Sequence, residues 1–260
     1  FNISYSNNFS WATPTALPAA AKSYESATMA LEGRNRRVPG TTVFTNACGL
    51  TWDAEDIEYM REWDRMFGGV DLGEEMILGR DFLIKSGAPH FYRSWDAAHE
   101  FVKDWSFSQQ HNLSVGGTAG KTNYYLGLGY MGQGGVVKVN PDDYKRYSVN
   151  FGTETEINKW VRVRSKALYT RTNLETPFNF GSTSYDALYY LYRWPSIMPY
   201  GTYQGHPFRN SLAETAAANM DTDIKDYMRV SIGTTITLGI PDLTLDLDYT
   251  YNLDNENKTM

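Results

Sequence analysis

A few residues of this sequence have types and spacings that could support catalysis. His99 and Glu100 begin like the zinc motif H-E-x-x-H, but the fifth position is Lys103, which cannot replace histidine as a ligand. The segment 127–132, GLGYMG, matches G-x-G-x-x-G. A dinucleotide site needs a helix to open within that motif, whereas Gln133 and two more glycines follow it. We therefore expect a protein that is not an enzyme and has no catalytic residues.

Metal and thiol chemistry is weakly encoded. Asp221, Asp223 and Asp226 form one acidic cluster and residues 254–256 another, and such carboxylates could bind calcium in loops. Neither cluster has EF-hand spacing, so solvated charge is the better interpretation. The single cysteine, Cys48, has no possible disulfide partner among these residues. We expect no metal site and no cofactor.

The composition argues against nucleic acid as a partner. The 260 residues contain 24 Lys plus Arg and 30 Asp plus Glu, a net charge of -6, so the basic surface of a nucleic-acid binder is missing. Aromatic residues make up 15%, including 19 Tyr and 7 Trp. Tyr and Trp have an apolar ring and a polar end, which suits sugar binding or a membrane interface.

Alternation of apolar and polar residues predicts an all-β protein. In the clearest example, Val161 and Val163 alternate with Arg162, Arg164 and Lys166, so the cations share the face opposite the apolar row. The predicted strands have about ten residues each, the length that a tilted strand needs to cross a bilayer. Seven strands are predicted, near residues 1–12, 105–115, 122–131, 143–155, 159–172, 226–238 and 243–253.

The connections between these strands alternate in length. Short turns follow the second, fourth and sixth strands, while long loops at 13–104 and 173–225 follow the first and fifth, and a loop of moderate length follows the third. This alternation is typical of antiparallel transmembrane barrels. A soluble β-rich carbohydrate-binding module with a sandwich fold would also show two-faced strands, and a passive porin is a further alternative. A ninety-residue insertion would be unusual in a compact sandwich.

Two stretches carry a resemblance to a known family. Residues 109–138, QQHNLSVGGTAGKTNYYLGLGYMGQGGVVK, and residues 143–170, DYKRYSVNFGTETEINKWVRVRSKALYT, resemble the barrel of SusC/RagA-type TonB-dependent outer-membrane transporters. Residues 22–36 are similar to the helical part of the first outer loop of that family. The resemblance covers most of the chain.

The resemblance implies an active importer of the Gram-negative outer membrane. In this family a large barrel of about 22 strands encloses an N-terminal plug and pairs with a SusD-like surface lipoprotein, in some cases as a dimer of such pairs. TonB would supply energy through the plug, and the cargo would be an oligosaccharide or a peptide. On this hypothesis residues 1–260 are the N-terminal part of the barrel, with long, partly helical extracellular loops, and the plug and the remaining strands belong to other parts of a longer protein.

The same hypothesis assigns roles to charged and aromatic residues. The polar strand faces would line the lumen, and the cations of the fifth strand would face acids of neighbouring strands or of the plug. These lumen-facing candidates are Arg146, Glu154, Arg162, Arg164, Lys166, Arg229, Asp246 and Asp248. Aromatic rings in the long loops could stack on cargo, and the candidates are Trp52, Trp63, Trp95, Trp194, Tyr200 and Tyr203.

Overall fold

The structure, a computed structural model, describes residues 1–17, 19–177, 196–240 and 243–259. Strands dominate it, and short helices lie in the long connections. Numbered along the chain, the elements are β1 (Asn2–Ala12), α1 (Ser23–Arg37), β2 (Val43–Thr45), β3 (Thr51–Asp53), α2 (Ala54–Phe67), β4 (Phe82–Lys85), β5 (Ala88–Phe91), α3 (Ala97–Phe101), β6 (Ser106–Ala119), β7 (Thr122–Gly134), β8 (Asp143–Asn158), β9 (Val161–Pro177), β10 (Thr202–Tyr203), β11 (His206–Pro207), α4 (Ser211–Ala217), β12 (Met220–Thr237) and β13 (Thr244–Thr259).

Seven long strands form one antiparallel sheet in the order β1-β6-β7-β8-β9-β12-β13. The predicted all-β architecture with seven antiparallel strands is thereby confirmed. Several strands are longer than the alternation predicted, and β12 begins at Met220 instead of near residue 226. Its first residues, Met220 to Lys225, pair with Pro177 to Thr172 of β9, so backbone pairing extends the strand beyond the apolar pattern.

The strand register places all the apolar rows on the same side of the sheet. Val149 of β8, for example, lies opposite Leu128 of β7 and Tyr169 of β9, and Tyr169 lies opposite Met228 of β12. A shift of one residue in any strand would turn its apolar row to the other side. The seven strands therefore build one continuous apolar face, and the opposite, polar face carries Ser, Asn, Thr and charged residues.

The apolar face is exposed in this structure. Ile232 is 51% exposed and Leu245 is 43% exposed, whereas in a sandwich these positions would be packed against a second sheet. Within the described ranges, the buried apolar side chains all lie outside the seven long strands. No helix among the described residues is long and apolar enough to cross a membrane.

The connections between the seven long strands differ in length at the two ends of the sheet. The β6–β7, β8–β9 and β12–β13 turns are short and leave one end of the sheet. Gly120, in the first of these turns, has φ +61°, a left-handed conformation that glycine adopts without a steric penalty. The long connections after β1 and β9, and the shorter one after β7 (135–142), all leave the opposite end.

The long connections pack against one another to form a loop domain, whose apolar core includes residues of all three connections. Backbone hydrogen bonds join the first connection to the third, from Trp95 N to Ser196 O (2.8 Å) and from Met76 N to Thr202 O (2.8 Å). Lys103 N also donates to Val136 O (2.8 Å) of the second connection. Residues far apart in sequence therefore share one core at this end of the sheet.

Helix α2 shows how the sequence builds this core. Asp53 caps its N-terminus by accepting a hydrogen bond from Asp56 N, which satisfies a backbone donor that has no partner inside the helix. Ile57, Met60 and Trp63 follow at a spacing of three residues and are all buried. This spacing places the three side chains on one side of the helix, toward the core.

Candidate functional site

The polar face of the sheet carries rows of charged side chains that pair across neighbouring strands. Arg162 of β9 lies 3.8 Å from a Glu154 oxygen and 2.9 Å from a Glu156 oxygen of β8. These side chains are each about half exposed, so water screens the interaction and it contributes little to stability. The row therefore leaves charged groups accessible to a polar solute.

Arg164 of β9 contacts two carboxylates of β13, which is two strands away in the sheet. Its Nη2 atom lies 3.5 Å from Asp246 Oδ1 and 3.4 Å from Asp248 Oδ1, although strand β12 separates β9 from β13. The position between them on β12 is Gly233, and a Cβ atom there would collide with Asp248 Oδ1. The missing side chain at Gly233 lets the guanidinium meet both carboxylates across the intervening strand.

The other predicted lumen-facing residues lie on the same face. Arg146 of β8 and Lys166 of β9 are exposed. Arg229 of β12 donates from Nε to Asn252 Oδ1 (2.9 Å), and its guanidinium lies 5.8 Å from the Tyr227 ring centroid. The structure thus brings all eight charged candidates to one surface, as the alternation of the strands requires. That surface offers guanidinium, ammonium, carboxylate and hydroxyl groups for hydrogen bonding.

Four of the aromatic candidates for cargo contact are buried in the loop domain. Trp52, Trp63, Trp95 and Tyr200 are at most 6% exposed. Trp52 Nε1 donates to Ala27 O (3.0 Å) and Trp63 Nε1 to Asp81 Oδ1 (2.9 Å), so the polar ends of both indoles are satisfied inside the protein. These four rings belong to the core, and in this structure they offer no open face on which cargo could stack.

Tyr200 and Tyr203 follow each other closely but have different surroundings. Burial raises the pKa of Tyr200 to about 12, and its hydroxyl lies 3.2 Å from Ser211 Oγ. Tyr203 is half-buried and packs edge-to-face on Phe82, with 5.1 Å between ring centroids. The remaining aromatic candidate, Trp194, lies outside the described residues.

A cluster of polar side chains around the buried Asp56, in the loop domain, has no counterpart in the sequence predictions. The Asp56 side chain is 0% exposed and lies 2.7 Å from both Lys85 Nζ and His90 Nδ1, and the Tyr92 hydroxyl donates to it at 3.2 Å. Burial opposes ionisation of Asp56, but the hydrogen bonds from Lys85 and His90 outweigh it and hold the pKa of the carboxyl below its ordinary value. The cluster fastens α2 to the β4–β5 hairpin.

Only part of this cluster could have been found from the sequence. Asp53 and Asp56 form a capping box at the start of α2, a pattern of spacing three that sequence inspection can detect. Lys85 and His90 lie 29 and 34 residues further on, and nothing in their local pattern connects them with Asp56. We interpret the cluster as structural, because it lies inside the loop domain and the Asp56 carboxylate has its hydrogen-bond partners within the cluster.

The acidic residues that could have bound calcium are divided between the two faces. Asp221 and Asp223 are an even number of residues from Arg229 on β12, so they share its polar face. Asp226 lies on the apolar face beside Tyr169 and Arg171. Asp223 lies 3.5 Å from Lys225 Nζ. In the described part of the chain, no three acidic, histidine or cysteine side chains come together as a metal-binding group.

The two segments that resemble enzyme motifs have other surroundings here. The segment 127–132 lies inside β7, which continues as a strand to Gly134. His99 and Glu100 lie in α3, a helix of five residues, and burial raises the pKa of the Glu100 carboxyl. Neither segment has the helical context that its motif requires.

Comparison with known proteins gives likeness at the level of the fold. No family model matches the chain, and no curated protein matches it. A structure of the RagAB peptide importer in the open-open state aligns over 98% of this chain and 28% of that chain, with 15% sequence identity and a TM-score of 0.57. A structure of the RagAB peptide transporter aligns over 64% of this chain and 19% of that chain, with 20% identity and a TM-score of 0.44.

The open-open structure is the informative one, because its alignment extends over nearly the whole chain. It shows that the seven-stranded sheet and the loop domain together have the fold of a stretch of a larger chain. This chain spans less than a third of the length of the solved chains it matches. The protein therefore belongs to the class of antiparallel β-sheet proteins, and its fold is similar to part of the chain in the RagAB peptide importer structure.

Proposed function

We propose that this chain forms the N-terminal part of the barrel of a SusC/RagA-type outer-membrane transporter. On this proposal the apolar face contacts lipid acyl chains, the polar face lines the lumen, and the loop domain lies outside the cell. The protein would import an oligosaccharide or a peptide in a Gram-negative bacterium. It would act with a SusD-like lipoprotein, as a single pair or as a dimer of pairs, and would receive energy from TonB.

One observation carries the proposal: a seven-stranded sheet exposes a continuous apolar face, and among the described residues charged side chains lie on that face only near its loop-domain end, as Lys145, Arg171 and Asp226 do. Tyr249, for instance, is 69% exposed. Soluble proteins rarely expose a contiguous apolar surface as large as the one to which this ring belongs. Lipid accommodates such a face without a covering layer. The charged row of Arg162, Arg164 and Lys166 suits a watery interior, because a charge facing lipid at mid-depth costs about 2–4 kcal/mol.

The two open edges of the sheet support the same conclusion. β1 pairs only with β6 and β13 only with β12 among the described strands, so each has one side without a strand partner. Open edges are not tolerated in a bilayer, where every backbone donor and acceptor needs a partner. We infer that strands from other parts of the same protein close the barrel.

We favour a peptide as the cargo, because the chain shares part of the fold of a peptide importer. Peptides carry charged termini and amides, for which the cations, carboxylates and hydroxyls of the polar face are suitable partners. Oligosaccharides could use the same hydroxyl and amide groups. Uptake of labelled oligopeptides and of labelled oligosaccharides by cells with and without the gene would decide between them, and TonB dependence predicts that deletion of tonB abolishes either uptake.

Adjacent residues of β8 provide a matched test of the membrane orientation. Val149 belongs to the apolar face and Asn150 to the polar face, and both are exposed near the middle of the strand. We expect Val149→Lys in the full-length protein to destabilise the barrel by about 2–4 kcal/mol and to lower its amount in outer membranes, because the ammonium would face lipid. Asn150→Lys should assemble normally.

The readout is the amount of heat-modifiable, folded protein in isolated outer membranes. Equal assembly of the two variants would contradict the proposed orientation. A native protein that stays in the aqueous phase without detergent would contradict the membrane location altogether.

A further inference from the structure

A groove of about 630 Å³ opens where the ends of β6, β7 and β8 meet the loop domain. Its walls combine aromatic rings, lysines and glycines. The residues that line it include Trp105, Phe107 and Tyr130, the cations Lys103, Lys138 and Lys145, and the acids Asp104 and Asp143.

The groove lies on the apolar side of the sheet. Phe107 and Tyr130 belong to the apolar rows of β6 and β7, and Lys145 of β8 lies opposite Gly132 in the same rows. Gly132 and Gly134 have no side chains, and the Tyr130 ring lies over Gly132, where a Cβ atom would come within 2.7 Å of the tyrosine hydroxyl. Trp105 is 56% exposed and Phe107 is 36% exposed, which leaves aromatic surface open at the mouth of the groove.

Three lysines and two aspartates line the groove, so the lining has one net positive charge. Lys145 is paired with Asp143, 2.5 Å away. Lys103 Nζ donates to Gly135 O (3.2 Å) and Lys138 Nζ to His99 O, both neutral acceptors. In the ranges that the structure describes, neither of these two ammonium groups lies within 4.0 Å of a carboxylate oxygen. The chain as a whole has a net charge of -6, so this is a local departure from its overall charge.

We infer that this groove binds the phosphate-bearing headgroup of an outer-leaflet lipid. The inference rests on the proposed function, because only then does the apolar side of the sheet face lipid. The groove would lie at the level where the apolar band ends and the extracellular loops begin, the depth of the headgroups. Aromatic rings suit that interface, and ammonium groups form charge-assisted hydrogen bonds with phosphate oxygens.

The lining explains why a phosphorylated lipid fits better than a free anion. Phosphate oxygens would accept from Lys103 and Lys138, while the sugar or glycerol portion of the lipid would contact Trp105 and Tyr130. The acyl chains would continue along the apolar rows of β6 and β7. Both ends of an amphipathic ligand thus find matching surface within one groove.

Native mass spectrometry of the full-length, detergent-purified protein tests this inference. The protein is stripped of lipid and titrated with bis-phosphorylated lipid A, with dephosphorylated lipid A, with phosphatidylethanolamine and with inorganic phosphate. We expect 1:1 binding of bis-phosphorylated lipid A, and at least tenfold weaker binding for the triple variant Lys103→Gln, Lys138→Gln, Lys145→Gln. The control is Lys121→Gln, Lys159→Gln, at the short-turn end of the sheet, which should bind like the wild type.

The remaining outcomes separate the inference from the function on which it rests. Equal affinity for dephosphorylated lipid A or for phosphatidylethanolamine, an unchanged triple variant, or binding of inorganic phosphate with equal affinity would each overturn the lipid site. In those cases the protein would still be extracted only by detergent and would still import cargo. Failure of the proposed function would instead appear as a protein that needs no detergent.

Discussion

Replacement of Asp56 by asparagine is expected to loosen the loop domain. The substitution keeps the size of the side chain but removes the negative charge that meets Lys85 at 2.7 Å and His90 at 2.7 Å. Breaking a buried ion pair typically costs about 3–5 kcal/mol. Lys85 is 25% exposed and also contacts Glu55 at 3.0 Å, so part of its charge stays compensated and we expect a loss of about 2–3 kcal/mol.

Hydrogen exchange of the full-length protein measures this loss. A loss of about 2–3 kcal/mol raises the opening equilibrium of α2 and the β4–β5 hairpin about 30- to 150-fold, and exchange of their amides should accelerate by the same factor. The long strands of the sheet should not change, because the cluster contacts only the loop domain.

Glu55 supplies the matched control. It precedes Asp56 in the same helix and contacts the same lysine, but its side chain is 67% exposed. Glu55→Gln should change the opening free energy by less than about 1 kcal/mol. Equal acceleration in the two variants, or no acceleration in Asp56→Asn, would refute the idea that the buried carboxylate fastens α2 to the hairpin.

Three further predictions concern the same structure. Trp52→Ala should destabilise the loop domain by about 3–5 kcal/mol, because Trp52 is 2% exposed and donates to Ala27 O, and limited proteolysis should then cleave between residues 13 and 104. Gly233→Ala should displace the Arg164–Asp248 pair and lower the melting temperature in detergent, whereas Gly152→Ala, whose Cβ would meet only Ser165 O at 3.9 Å, should be tolerated. Because the pKa of Asp56 is lowered from 3.8, its contribution to stability should be complete above about pH 4 and lost as the pH falls through the folded-state pKa. Equal protection factors of the α2 amides at about pH 6 and about pH 3, corrected for the intrinsic exchange rate at each pH, would contradict this.

The sequence by itself determined the sheet. A side-chain period of two depends only on neighbouring residues, so the apolar rows, the charged row of β9 and the alternation of short and long connections could be predicted before any coordinates. The surface shared by Arg162, Arg164, Asp246 and Asp248 follows from the same period, since a register shift of one residue would turn an apolar row to the other face.

Tertiary structure alone decided the loop domain. Local pattern does not show which way an aromatic side chain in a loop points, so Trp52, Trp63, Trp95 and Tyr200 were candidates for stacking on cargo. Only the packing of the connections after β1, β7 and β9 shows that these four side chains are buried. Asp56 likewise meets partners 29 and 34 residues away, and Arg164 meets Asp248 84 residues away across a glycine. Such contacts depend on the tertiary arrangement of segments that are far apart in sequence, and the spacing of residues along the sequence does not show which of these segments come together.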